Sequence, residues 1–269
     1  MRCLLLVFVS CAVPIDQGDV TPWTDATCDH LFGMPGKNTG LTTDACKSEV
    51  TAGDATWAVP DYTPDDLAAL RAWTLDNPAN ALTVDPYTEP AKWSLDEGGV
   101  CGLTVLDADE LTYRLESFAS QEAAWEEGAR VTHGGPCGMC SSLEDLAVYI
   151  EQQDLTTPVR QCGLESFGGD PLDSVPCLKE LGFTDRCAEI WAYNTAHTGQ
   201  VCLETCISLL NAPYHDEDGA PNACIQCDED NSGPVFKAVS GRTRRNSGLP
   251  TSLCRPCDKV WRIDHRITD

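Results

Sequence analysis

ARVTHGGPCGMCSSLEDLAVYI, residues 129–150, opens as a short apolar strand, passes a Gly-Gly-Pro loop and a C-x2-C pair, and closes as a helix. Ser141 with Glu144 three residues on forms a capping box and predicts a helix over 142–152. Strand, loop and helix frame three readings of the side chains between them. His133, Cys137 and Cys140 are spaced as metal ligands. Cys140 precedes a helix N-terminus, where the dipole lowers a thiol's pKa, so the pair also fits a thiol–disulfide site. The third reading makes both cysteines ends of structural disulfides. The redox reading meets two departures: Pro136 stands where a thioredoxin-like site has Trp, and the downstream chain reads as helical.

Compartment decides among these readings. The chain starts MRCLLLVFVSCA, with Arg2 before an apolar run over Leu4–Val9, which reads as a short export signal. FVSC resembles the bacterial lipobox, which implies that residues 1–11 are a signal segment and Cys11 the acylated anchor. Cleavage after Ala12 is the alternative and gives a secreted protein. Of 16 cysteines, setting aside Cys3 and Cys11 leaves an even number for disulfides. They are Cys28, Cys46, Cys101, Cys137, Cys140, Cys162, Cys177, Cys187, Cys202, Cys206, Cys224, Cys227, Cys254 and Cys257. An oxidising compartment favours pairing them all. Zinc on Cys224, Cys227, Cys254 and Cys257 is the alternative, although the 26 residues between the two pairs exceed the usual ~15–20. No other cofactor is expected.

Net charge is −24 over 269 residues, which excludes general nucleic-acid binding and leaves a lipid anchor as the one route to a membrane. Residues 237–269 run the other way, with eight basic against three acidic side chains. Residues 12–62 read as an acidic, loop-rich tether with a local Cys28–Cys46 disulfide, and 63–100 as a helix and loops joining a core. The helix begins at Thr63–Pro64. Residues 101–269 read as a cysteine-rich α+β domain. CGLTVLD and the alternating ELTYRLESF are strands, Ser120 caps a helix ended by Gly128, and several short helices follow residue 141. The expected fold is a disulfide-rich α+β protein, a small sheet packed with several short helices.

A second block, CIQCDEDNSGPVFKAVSGRTRRNSG over 224–248, sets acids beside arginines. Asp228, Glu229 and His133 are the acid–base candidates. Arg242, Arg244, Arg245 and Asn246 are candidates for holding an anion, with Ser141 at a helix start. The expected site lies where the His133 loop meets the Arg242–Arg245 loop and takes a small anionic or polar ligand. A structural or interaction module without a pocket is the third possibility. The two blocks together resemble an uncharacterised family of cysteine-rich exported proteins, over roughly Tyr113 to Cys257. That resemblance implies that the blocks share one domain and implies no activity.

Overall fold

The computed structural model describes residues 17–24, 33–45, 49–93 and 98–267. The export segment, Cys11, Cys28 and Cys46 fall outside the described residues. The fold is α+β and disulfide-rich, with nine α-helices and two small sheets among the described residues.

The main sheet is built from β4 (Val100–Asp107), β5 (Thr112–Phe118) and β6 (Arg130–Gly134), all antiparallel, in the order β3-β5-β4-β6. The short β3 (Thr74–Leu75) adds in parallel to β5. Alternation in β5 does what period two requires: Tyr113 and Leu115 are buried, Arg114 and Glu116 exposed. Ahead of the sheet, α1 (Pro64–Ala72) starts with a full capping box between Thr63 and Asp66. Ser120 caps α2 (Gln121–Glu126).

After β6 the chain is helical. α3 (Leu143–Glu151) starts one residue later than the sequence suggests. Ser142, not Ser141, is its cap, and its Oγ accepts from Asp145 N. Asp145 then accepts from Thr184 N and Thr184 Oγ1, both at 2.9 Å, which fastens the start of α3 to the start of α6 (Asp185–Val201). α4 (Thr156–Glu165), α5 (Val175–Glu180), α8 (Ala223–Asn231) and α9 (Gly233–Ser240) all pack against α6. α7 (Leu203–Ser208) lies against α8. Leu103, Tyr113, Leu146, Ile150, Ile190 and Val235 share the main core, so sheet and helices bury one hydrophobic interior.

Between described residues, five disulfides staple this body: Cys101–Cys137, Cys140–Cys187, Cys162–Cys177, Cys202–Cys227 and Cys206–Cys224. Cys257 is disulfide-bonded as well. The C-x2-C pairs Cys137/Cys140 and Cys224/Cys227 do not close on themselves: each member bonds a different distant cysteine. A redox dithiol at Cys137–Cys140 is therefore corrected to two staples, one to β4 and one to α6. The alternative zinc site fails on the same ground, since Cys224 and Cys227 offer no thiolate. No cluster of three metal-binding side chains occurs among the described residues. This density of disulfides fits an oxidising, extracytoplasmic environment.

Described parts of the stretch expected to be an acidic, loop-rich tether pack on the body. Val20 is buried with Val131 and Ile263, and Gln17 Oε1 accepts from Val131 N at 2.6 Å. β1 (Glu49–Ala52) and β2 (Ala55–Ala58) form a hairpin that buries Val50 against Cys257 and Val260. Isolated valines in a turn-rich, acidic sequence carry no periodic signal, so their anchoring is invisible before folding.

Candidate functional site

The two sequence blocks do meet. Met139 N donates to Val239 O and Cys140 N to Ser240 O, so the C-x2-C loop runs alongside the end of α9. A Cβ on Gly138 would lie 2.5 Å from Gly241 N, which is why glycine stands between the two cysteines.

What the meeting builds is a sealed polar lattice, not a pocket. Arg242 is fully buried. Its guanidinium donates to the carbonyls of Thr132, Cys140 and Ser141 at 3.0–3.2 Å and to Ser247 Oγ. Asn246 closes the adjoining turn: Oδ1 accepts from Thr243 N, and Nδ2 donates to Gly134 O and Gly241 O. His133 Nδ1 lies 3.0 Å from Gly134 O and so carries the hydrogen, which leaves Nε2 to accept from Ser141 Oγ at 2.7 Å. Ser141 Oγ in turn accepts from Gly138 N. Burial, then the Arg242 charge, push the imidazole's pKa well below its ordinary value and keep it neutral.

A Ser–His pair at 2.7 Å has the spacing of an activated nucleophile. Here both side chains are wholly buried. The expectation that His133, Ser141, Arg242 and Asn246 face a ligand is thus corrected: their hydrogen-bonding capacity is spent on backbone that would otherwise be orphaned in the core.

The pocket lies elsewhere, among the helices. A cleft of about 590 Å³ opens between α4, α6, α7, α8, α9 and the 243–255 segment, within the range usual for small-molecule sites. Its apolar lining includes Trp191 and Phe236 at depth. Phe167 and Ile207, each 58% exposed, and Leu164, Leu203 and Leu210 continue it outward. So many large apolar side chains facing one concavity are unusual on a soluble surface.

Four sequence-predicted residues do line this cleft: Asp228, Glu229, Arg244 and Arg245. Glu229 is gripped by Lys237 Nζ at 2.8 Å and by Arg255 Nη2 at 2.7 Å. Burial opposes its charge, but Arg255 and then Lys237 outweigh burial and hold the carboxyl down at about 2. Asp228 makes no ion pair with a described residue. Its Oδ1 accepts from Thr198 Oγ1 and, at 3.5 Å, from Asn194 Nδ2. Burial raises its pKa, and the Thr198 hydrogen bond only partly offsets that.

Arg244 is corrected from anion anchor to helix-end clamp. It donates to the carbonyls of Tyr149, Gln152 and Pro250 and lies over the Tyr149 ring at 5.3 Å. It thereby satisfies carbonyls at the end of α3, where a cation is favoured. Sequence reading missed Lys237, Arg255 and Arg160, which complete the cleft's five cations against its two carboxylates. It also missed α4 and α7 as apolar walls. Leu164 and Phe167, or Leu203, Ile207 and Leu210, read as ordinary helix-core residues until the fold leaves them uncovered.

Residues 172–263 match a family described as a family of unknown function (DUF8771), a match that takes in α5 to α9 and most of the cleft's charged groups. No curated protein and no solved structure matches the chain. The DUF8771 match and the density of disulfides fit a cysteine-rich family without an assigned activity.

Proposed function

We propose that the protein is an exported binding protein whose cleft holds a small single-chain amphiphile with an anionic head. The supporting observation is the coincidence, in one cavity, of an uncovered apolar wall with a cation-rich group in a chain of net charge −24. The apolar wall buries the tail at about 25 cal/mol per Å². Lys237 and Arg255 hold the head. An ammonium has three donors and a guanidinium five, and each is seen bonded here only to Glu229 among the described residues. Glu229 pre-positions both cations, and Asp228 and Asn194 offer polar contacts beside them. Export follows the N-terminal segment and the disulfides. The resemblance of FVSC to a lipobox supports Cys11 as a lipid anchor at the cell envelope, with plain secretion the alternative.

Laurate, a neutral alkyl alcohol and a matched alkylammonium are the probes, titrated by calorimetry into the disulfide-intact protein. Laurate is expected to saturate at one equivalent and the alkylammonium to bind far more weakly. Lys237→Gln and Arg255→Gln should each weaken laurate about tenfold and leave the alcohol nearly unchanged. Equal binding of both charges would remove the anion reading, and no saturable binding would remove the cleft reading. Intact mass of material from the native host, before and after reduction, reads the lipid on Cys11 directly.

A further inference from the structure

Asp228 is joined to a histidine outside the cleft by an unbroken line of hydroxyls. Thr198 Oγ1 donates to Asp228 Oδ1 and lies 2.8 Å from Ser232 Oγ. Ser232 Oγ lies 2.9 Å from His197 Nδ1. Ser232 is wholly buried, Thr198 and Asp228 line the cleft, and His197 does not. His197 is half-buried and stacked on Tyr87, with ring centroids 4.3 Å apart. The Tyr87 hydroxyl donates to Asn194 Oδ1 and Ser232 O, and so fixes the frame around the line. The i,i+1 pair His197–Thr198 on α6 straddles Ser232, which sits between α8 and α9. Asp228 Oδ2 makes no hydrogen bond to any described residue.

We propose that Asp228 is the proton-exchanging residue of the cleft, and that Thr198 and Ser232 pass its proton to and from His197. The Thr198 hydroxyl is placed to donate to Asp228 Oδ1 or to Ser232 Oγ. With Asp228 ionised its hydrogen turns to the carboxylate, Ser232 turns its own to Thr198, and the line runs one way from His197 Nδ1–H to Asp228. Starting from imidazolium, one concerted step moves the Nδ1 proton to Ser232 Oγ, the Ser232 proton to Thr198 Oγ1 and the Thr198 proton to Asp228 Oδ1. Three bonds to hydrogen break and three form, His197 is left neutral and Asp228 is left as the acid. The polarity of the line is then reversed.

Once the protonated Asp228 carboxyl turns about its Cβ–Cγ bond, the oxygen bearing the proton leaves Thr198 and faces the cleft. It can then give that proton to an acid head there, and the reverse sequence takes one away, without water crossing the filled apolar wall. In serving that head, the relay rests on the amphiphile reading. Its existence does not. The charged and titratable groups facing Asp228 are Glu229 on its own helix, Lys237 from α9 and the phenol of Tyr87. Asp85 faces His197. Burial lifts the Asp228 carboxyl and lowers the His197 imidazole, which brings two unlike groups toward a common range.

The test is ligand-free. The ¹³C shift of the Asp228 carboxyl and the ¹⁵N shifts of His197 are followed against pH in the whole protein. At pH above both titrations, neutral His197 should be the Nδ1–H tautomer, and proton uptake should appear in both probes with one shared midpoint. Ser232→Ala and Thr198→Val should return His197 to the Nε2–H form and split the midpoints. Thr198→Ser, which keeps the hydroxyl, should retain the wild-type pattern and controls for packing damage. An Nε2–H tautomer in the wild type, or midpoints that separate there or stay shared in Ser232→Ala, would overturn the relay. Failure of laurate to bind would sink the amphiphile reading alone and leave these spectra to decide the relay.

Discussion

Two polar clusters that both draw on the 224–248 stretch end with opposite fates. Around His133 and Arg242, donors and acceptors are matched inside the protein and solvent is shut out. Around Asp228 and Glu229, Lys237 and Arg255 line a cavity with exposed apolar walls and are bonded, among the described residues, only to Glu229. The chemistry of the residues does not separate the two cases, since both contain a carboxylate or imidazole beside arginine. What separates them is where the backbone leaves unpaired groups. The loop after β6 and the turn after α9 expose carbonyls in the core, and arginine and asparagine are consumed in covering them.

This contrast can be broken by experiments on either cluster. The largest effect is expected from the staples that hold the lattice in register. Cys140→Ala with Cys187→Ala opens a cross-link spanning 47 residues and should remove about 4 kcal/mol of stability on the loop-entropy scale. Urea unfolding of the double variant beside the wild type measures it, and a change under ~1 kcal/mol would show that the lattice holds itself. Next comes Arg242→Leu, which strands three buried carbonyls and should cost about 3 kcal/mol or more. If Arg242→Leu unfolds at the wild-type urea midpoint, the lattice does not stabilise the fold.

Acid should act through the buried imidazoles. The pKa of His133 is pushed well below 6.5 and that of His265 to about 3, in each case first by burial and then by Arg242. A folded-state pKa below the unfolded one means the contribution is present above about pH 6.5 and is lost as pH falls below it. The loss is about 1.4 kcal/mol per pH unit for each group, continuing toward pH 3 for His265. The stability gap between wild type and His265→Asn should therefore shrink on acidification. A gap constant from pH 7 to pH 4 would contradict neutral burial.

The smallest stability effect is expected in the cleft, where Ile207→Asn should change unfolding by no more than ~0.5 kcal/mol. The same substitution should still weaken laurate several-fold, because it removes apolar wall from an otherwise intact site. A large loss of stability with no change in binding would make Ile207 an ordinary packing residue.

Much of the sheet and the helix starts was legible before folding. Alternation at Tyr113 and Leu115 and the caps at Thr63 and Ser120 are local signals, and local physics decides them. The cap of α3 slipped by one residue because Ser141 and Ser142 are equally good caps in sequence, and only the folded loop brings the His133 ring onto Ser141. Asp228, Glu229 and Arg245 stand together in the sequence block and line one cavity, although not the one expected beside the His133 loop. The apolar walls were not legible. Whether Leu164 or Ile207 is core or cleft wall depends on whether another element covers it, and hydrophobic periodicity is the same in both cases. The relay was hidden for a like reason, since His197 and Thr198 are adjacent on α6 but meet Ser232 only through the turn between α8 and α9.

Amide chemical-shift mapping during a laurate titration compares the two clusters in a single sample. The cleft account predicts saturable shifts at Leu164, Phe167, Ile207, Asp228 and Lys237, with His133, Ser141 and Arg242 unmoved. Shifts centred on His133 and Arg242, or none that saturate, would contradict it.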